Sequence, residues 1–575
     1  MSRRANRSAQ SRTRPASTQS PSAGVAKGSR VRAMLARRSV QGALIFSFLL
    51  AVYLANGDIL EGNDAAGNVR LAGKVVSKHK LVFTPEEDPF MFDWRLKTPE
   101  GERFAQFHSW RSSLKGEPIR RAYERGELGK PEPCYYLTRT RVPGVYANRY
   151  GVGASLFAIP FVAAVYPFAR DLYDRPSAAI LWHTTKVASA CAVAASAVLL
   201  FLAALPFLRP KTAAWLALAY GLGTCVWSAS SQTLWQHGPT EFFLALGTYF
   251  LMQRERPRAA YWVGLSYALA FVCRPTAALV LAAVGISYFL RDRRALLRCV
   301  AGALPAVLLL AAYNLHVFGR LIVLGQMDIG AAATTSAQLP PAFTLVRAAA
   351  AAGTLDTARR YVGTSLLEGL AGILVSPSRG LLVFSPIVAF GFWGVLHTYR
   401  DSRFSVLRPV GLTALALCLV VALWFNWWGG WCYGPRLLTD AVTLLAFLAI
   451  PVAEEIRQSR TLVVVFGVCL AWAVAVQAVG AFAYDVVGWN NRTLFAVNLP
   501  GRAMPLLFTD PNEAQREARA HGGSIKERAI NVDFGEGRSR LWSIRDSQIL
   551  YYFEHFLEAR ARKRLGSENF LRRQG

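Results

Sequence analysis

The chain has 575 residues, 53% of them hydrophobic, and a formal net charge of +29. Long apolar runs recur from Val40 to Tyr484, each at or near the roughly 20 residues that cross a bilayer, which excludes an ordinary soluble globular protein. The positive charge lies largely in the N-terminal tail and in short loops, where it orients spans and meets anionic lipid, so it is no nucleic-acid signal.

Residues 1–39 hold Arg3, Arg4, Arg7, Arg12, Arg14, Lys27, Arg30, Arg32, Arg37 and Arg38 and no acidic residue. This composition predicts a disordered cytoplasmic tail, with Arg37 and Arg38 keeping that end inside. No small-residue cleavage site follows the apolar run, so a cleaved signal is not expected. The first apolar helix runs from Val40 to Ala55. Residues 56–179 then form a long polar outer region with juxtamembrane helices, too long to be a mere connector. Apolar segments follow at 152–168, 180–207, 213–229, 239–252, 261–273, 276–290, 300–315, 381–396, 407–425, 437–452 and 461–484. Residues 485–575 read as a small polar, soluble tail.

Arg209-Pro210-Lys211, Arg291-Asp292-Arg293-Arg294 and the basic stretches 253–258, 399–403 and 454–460 serve as inside loops. The 152–168 helix then lies between two outside points and should not cross. The expectation is an all-α polytopic protein of about eleven spans with its C-terminal tail outside. The eight cysteines are scattered and fall mainly in apolar helices, so they read as small core residues.

On that topology the unusual polar residues gather on the outer face. Asp58, Glu61 and Asp64 follow the first helix. A carboxylate near the membrane boundary loses solvent, and its pKa is expected to rise toward a general-base value. Lys186, Arg274, Arg379 and Arg436 are cations near one apolar boundary, where they suit a lipid-anchored phosphate. Tyr150, His237, Glu241 and Asn314 are further candidates for substrate contact. So are Trp428, Trp431 and Tyr433, in the glycine-rich aromatic loop Asn426-Trp427-Trp428-Gly429-Gly430-Trp431-Cys432-Tyr433-Gly434-Pro435-Arg436. Aromatic faces with close backbone approach fit a sugar ring or a polyprenyl chain.

Several stretches come in a telling order: Gly62-Asn63-Asp64 with Val69-Arg70-Leu71-Ala72, Tyr150-Gly151-Val152-Gly153, and Phe271-Val272-Cys273-Arg274-Pro275-Thr276. Tyr313-Asn314, Ser376-Pro377-Ser378-Arg379-Gly380 and Trp427 to Arg436 follow. In this order the chain resembles bacterial GT-C superfamily glycosyltransferases, the group that includes protein O-mannosyltransferases and aminoarabinose transferases. The resemblance covers most of residues 40–484 and implies a GT-C-like helix bundle in the inner membrane. It implies transfer of a sugar from a polyprenyl-phosphate donor to a glycan, lipid or protein acceptor on the extracytoplasmic face. The family's acidic residue in the first outer loop acts as base, and by position it falls on Asp64. The usual acidic pair is reduced here to one carboxylate, so Asp58 and Glu61 stay open as the base.

In this reading the acceptor hydroxyl loses its proton to the base and attacks the anomeric carbon, and the lipid phosphate leaves. Lys186, Arg274, Arg379 and Arg436 would stabilise its charge. No ligand cluster compels a divalent metal, and no cofactor is implied. A lipid or sugar transporter and a non-catalytic envelope-assembly protein are the competing classes. Polar groups gathered at one face, with no internal repeat, speak against the transporter.

Overall fold

The computed structural model describes residues 22–60, 63–98, 101–106, 131–170, 173, 179–256, 258–323, 365–502, 505–533 and 535–572. Glu61, one of the three carboxylates of the first outer loop, lies outside the described residues. The chain divides into two units, Met1–Leu44 and Ile45–Gly575. Helix α1 spans Ser22–Leu54, so helix begins well inside the stretch expected to be disordered. Past Pro21 that stretch has no proline and is rich in Ala and Arg, both good helix formers.

Helix α2 (Asn63–Lys78) follows. A buried ion pair fastens the outer region to it: Lys74 and Asp88 are both fully buried and bonded to each other, and Asp88 also takes the Tyr173 hydroxyl. The expectation of an all-α protein is corrected in this region. Strands β1 (Phe92–Thr98), β2 (Gly101–Gln106) and β3 (Glu132–Pro133) form an antiparallel sheet in the order β2-β1-β3. Strands β4 (Leu137–Arg139) and β5 (Tyr146–Asn148) form a hairpin. The β1 sequence Phe-Asp-Trp-Arg-Leu-Lys-Thr alternates apolar and polar residues, which is the period of a strand and not of a helix.

The helical body contains α3 (Gly153–Val165), α4 (Ala179–Ala204), α5 (Pro210–Gly223), α6 (His237–Met252), α7 (Ala259–Cys273), α8 (Ala278–Arg291) and α9 (Arg293–Phe318). It continues with α10 (Leu366–Val375), α11 (Leu381–Phe384), α12 (Val388–Arg400), α13 (Arg408–Leu423), α14 (Thr439–Leu448), α15 (Ile450–Gln458) and α16 (Arg460–Ala483). Among the described residues four helices are long and apolar enough to cross a membrane, or five if the bent pair α14–α15 counts as one span. The 58° bend of that pair falls at Ile450-Pro451, where proline interrupts the helical ladder. Segments 210–229 and 381–396 are broken as well, at 224–230 and at Ser385-Pro386. Helices α7 and α9 cross at backbone contact. A Cβ on Gly264 would meet the Cys299 carbonyl oxygen at 1.8 Å, and one on Gly302 would meet that of Tyr261 at 2.0 Å. Small residues permit such close crossings between apolar helices. All eight cysteines are free, six of them buried and two partly so, in keeping with their reading as packing residues.

The C-terminal residues expected as a small polar tail carry strands and helices of their own. Strands β6 (Asn491–Asn498), β7 (Leu506–Phe508) and β8 (Ser524–Asn531) make an antiparallel sheet in the order β7-β6-β8, with α17 (Pro511–His521) against it. Helices α18 (Gln548–Glu554) and α19 (Phe556–Arg572) return to α16. Trp489 is fully buried there and donates its indole N–H to the Asp546 carbonyl at 2.9 Å.

Candidate active site

Asp64 stands in the first turn of α2, where a carboxylate meets the positive end of the helix dipole. Its Oδ1 accepts from the hydroxyls of Tyr135 at 2.5 Å and Tyr150 at 2.9 Å, and its Oδ2 lies 2.9 Å from Arg436 Nη1. The two tyrosines flank the β4–β5 hairpin. Asn148 fixes that hairpin by donating to Asn68 Oδ1 on α2 at 2.7 Å and to the Gly151 carbonyl at 2.7 Å. Asn68 in turn donates to the Leu234 carbonyl at 3.1 Å, and Gln236 donates to that of Tyr150. Helix α2, the hairpin and the turn before α6 are therefore stitched together around one carboxylate.

Arg436 arrives from the opposite side, on the short turn Arg436–Leu438. Its guanidinium lies over the Trp235 ring at 3.7 Å, and Nη2 donates to the Gly429 carbonyl at 2.8 Å. Its Nε is buried without a hydrogen-bond partner among the described residues. A buried cation with a free N–H can donate to one further anionic oxygen. Beside Tyr150 is a cleft lined by Arg149, Gln236, Cys273, Pro275, Tyr313 and Asn314. Arg149 commits one N–H to the Tyr135 carbonyl at 3.1 Å, and Asn314 donates to the Leu321 carbonyl at 3.0 Å.

The expectation of a raised Asp64 pKa is overturned. Burial pushes the carboxyl up, but the Arg436 charge and the two tyrosine hydroxyls outweigh it and hold Asp64 below its ordinary value of 3.8. The sign for stability follows from linkage: a depressed carboxyl contributes fully above its ordinary value, and that contribution is lost as pH falls through it toward the folded value. The unfolding midpoint of the wild type should therefore fall toward that of Asp64→Asn as pH drops below about 4. A midpoint difference unchanged between pH ~6 and pH ~3 would mean that Asp64 is not held by its partners.

A second polar group lies one turn beyond Arg436, at the start of α14. Arg274 Nη1 donates to Asp440 Oδ2 at 2.6 Å and stands 3.1 Å from His237 Nδ1, which is also 2.9 Å from Thr439 Oγ1. Arginine cannot accept, so His237 Nδ1 carries a lone pair. Glu241 accepts from Ser230. Glu241 Oε2 and Asp440 Oδ1 are buried without hydrogen-bond partners among the described residues. Ionisable side chains buried among apolar helices are costly, which makes this group a functional candidate.

The remaining sequence candidates are placed elsewhere. Lys186 donates to Asn56 Oδ1 and to the Asp58 carbonyl, both at 2.6 Å, so it fastens the chain leaving α1. Asp58 is buried in that group, apart from the two tyrosines. Arg379 is 1% exposed and makes five hydrogen bonds: to the carbonyls of Trp428, Ser378 and Gly430 and to the side chains of Gln548 and Asn490. All its donors are used within the protein, which removes it from the phosphate set. Tyr433 is a core residue that donates to the Val476 carbonyl at 2.9 Å. The indoles of Trp428 and Trp431 donate to Asp533 and Asn531 at 2.8 and 3.0 Å. The indole N–H groups of the aromatic loop therefore face the C-terminal sheet.

Sequence reasoning missed Tyr135, Arg149, Trp235 and Asp440. Only Asp440 carried a usable signal, as a lone carboxylate opening an otherwise apolar helix four residues after Arg436. Among the described residues no group of three or more His, Cys, Asp or Glu side chains could hold a metal ion.

Two solved structures align with the chain at low identity. ArnT from Cupriavidus metallidurans, bound to undecaprenyl phosphate, aligns with 12% identity and a TM-score of 0.42, over 77% of this chain and 65% of that one. The archaeal oligosaccharyltransferase AglB from Archaeoglobus fulgidus, in complex with an inhibitory peptide and a dolichol-phosphate, aligns with 12% identity and a TM-score of 0.41, over 76% and 55%. The chain spans less than two thirds of the length of either protein. No protein-family model and no curated protein matches the sequence.

Proposed function

We propose that the chain is a membrane glycosyltransferase that moves a sugar from a polyprenyl-phosphate donor to an acceptor hydroxyl at the Asp64–Arg436 pair. The observation that carries this reading is that one ionised carboxylate and one buried cation with a free Nε donor meet at 2.9 Å. Single displacement at an anomeric carbon needs both: a proton acceptor for the nucleophile and a fixed positive charge for the departing phosphate. Asp64 Oδ2 is held by Arg436, so the acceptor hydroxyl enters at Oδ1 in place of one tyrosine donor. As its oxygen bonds to the anomeric carbon, its proton passes to Asp64. The bond from the anomeric carbon to the phosphate oxygen breaks, and its electron pair stays on the lipid phosphate beside Arg436. Arg149, in the adjoining cleft, is a second cation for that phosphate. Arg274 acts from behind, through Asp440 and His237.

In the full form of this reading the chain is an inner-membrane protein of about eleven spans. Its N-terminus is cytoplasmic, and both the site and the C-terminal domain are extracytoplasmic. The acceptor is a glycan, lipid or protein. Purified protein in nanodiscs, incubated with a panel of polyprenyl-phosphate sugars, should consume at least one donor and release the lipid phosphate. Consumption of none across the panel would remove the transferase reading.

A further inference from the structure

Arg436 owes its position to the backbone that precedes it, and that backbone is held by a residue far along the chain. Segment 428–434 turns sharply. Gly434 takes φ +60°, and a Cβ there would lie 2.6 Å from the Phe384 ring, so only glycine fits. Such a turn exposes main-chain carbonyls to a protein interior, where each needs a donor. Two buried side chains supply donors to three of them. Arg379 donates to the carbonyls of Trp428 at 3.0 Å and Gly430 at 3.2 Å. Gln548, fully buried at the start of α18, donates through Nε2 to the Cys432 carbonyl at 2.9 Å. Its Oε1 accepts from the Gly434 N–H at 2.9 Å and from Arg379 Nη1 at 2.6 Å. The Gln548 amide N–H is itself anchored on Ser378 Oγ at 3.2 Å. Arg436 lies two residues beyond Gly434 and takes the Gly434 carbonyl with its own N–H at 3.0 Å.

We infer that Gln548 is a positioning residue: it fixes the 428–434 backbone and so holds the Arg436 guanidinium against Asp64. The C-terminal domain thereby becomes part of the site without touching the reacting atoms. The inference rests on the transferase reading for its meaning, but not for its test. Asp64 is surrounded by Arg436, Tyr135 and Tyr150, and of these only Arg436 is delivered by this backbone.

The experiment is an infrared titration of the Asp64 carboxylate band, taken as the difference from Asp64→Asn, in full-length protein in nanodiscs. Arg436→Gln sets the shift expected on complete loss of the cation, upward in pH. Gln548→Met keeps the side-chain volume and removes all three polar contacts, so Asp64 should titrate at a pH raised toward the Arg436→Gln value. Gln548→Met added to Arg436→Gln should shift it no further, because two changes acting through one contact are not additive. Gln548→Glu keeps the acceptor for Gly434 and Arg379 but loses the donor to the Cys432 carbonyl, so Asp64 should titrate between the wild-type and the Gln548→Met values. Asp64 titrating at the wild-type pH in Gln548→Met would overturn the proposal. So would a further shift in the double variant, or a full Arg436→Gln shift in Gln548→Glu. Failure of every donor in the panel would remove the transferase reading and leave this result standing, whereas an unmoved Asp64 titration would remove the positioning role and leave the transferase reading standing.

Discussion

Asp64→Asn should lower turnover by about 10²–10⁴-fold while leaving donor binding largely intact. Asparagine keeps the size and can still accept from Tyr135 and Tyr150, but it cannot take a proton. The effect should sit in kcat, since the carboxylate acts on the acceptor hydroxyl in the transition state and does not grip the donor. Asp58→Asn is the control: Asp58 lies in the Lys186 group, and its replacement should leave turnover within a few-fold of wild type. Glu61→Gln completes the set, because the sequence allows that carboxylate the same role. Full activity in Asp64→Asn with a dead Glu61→Gln would move the base three residues upstream and leave the rest of the mechanism in place.

Arg436→Gln should weaken binding of polyprenyl phosphate and slow turnover together. A buried, charge-assisted hydrogen bond is worth about 1.5–3 kcal/mol, or roughly 10- to 150-fold in affinity at 1.4 kcal/mol per factor of ten. Turnover should fall further, because charge on the phosphate grows as the glycosidic bond breaks. Arg436→Lys should not rescue it. An ammonium cannot contact Asp64, the Gly429 carbonyl and a phosphate oxygen in the fixed geometry of a guanidinium, nor stack on Trp235 in the same way. Competition with unlabelled polyprenyl phosphate measures the binding part. Equal affinity in wild type and Arg436→Gln would leave Arg436 as a partner of Asp64 only.

The two halves of the site were legible in the sequence to different degrees. Asp64 and Arg436 each stood out where the apolar pattern breaks, because a charge at such a place needs a reason. Their pairing was not legible, since it joins the first outer loop to a turn late in the chain. Tyr135 was hidden among the aromatic residues of a polar loop, and Gln548 in a stretch with no apolar period to mark it. The direction of the Asp64 pKa was misjudged for the same reason: burial can be read from neighbouring residues, whereas a cation brought up by the fold cannot. Lys186 and Arg379 show the opposite failure. Both are charges at an apolar boundary, as a phosphate site would need, yet backbone carbonyls and amide oxygens take up their hydrogen bonds. The all-α expectation missed the strand alternation of residues 92–98, because the apolar runs on either side dominate the composition.

The most direct test of the central claim follows one donor lipid in proteoliposomes, reading sugar release and leaflet position together, in wild type beside Asp64→Asn and Arg436→Gln. The account expects wild type to split the donor into sugar product and lipid phosphate, and both variants to leave the donor intact in its original leaflet. Donor that crosses between leaflets unsplit, at the same rate in all three proteins, would contradict it.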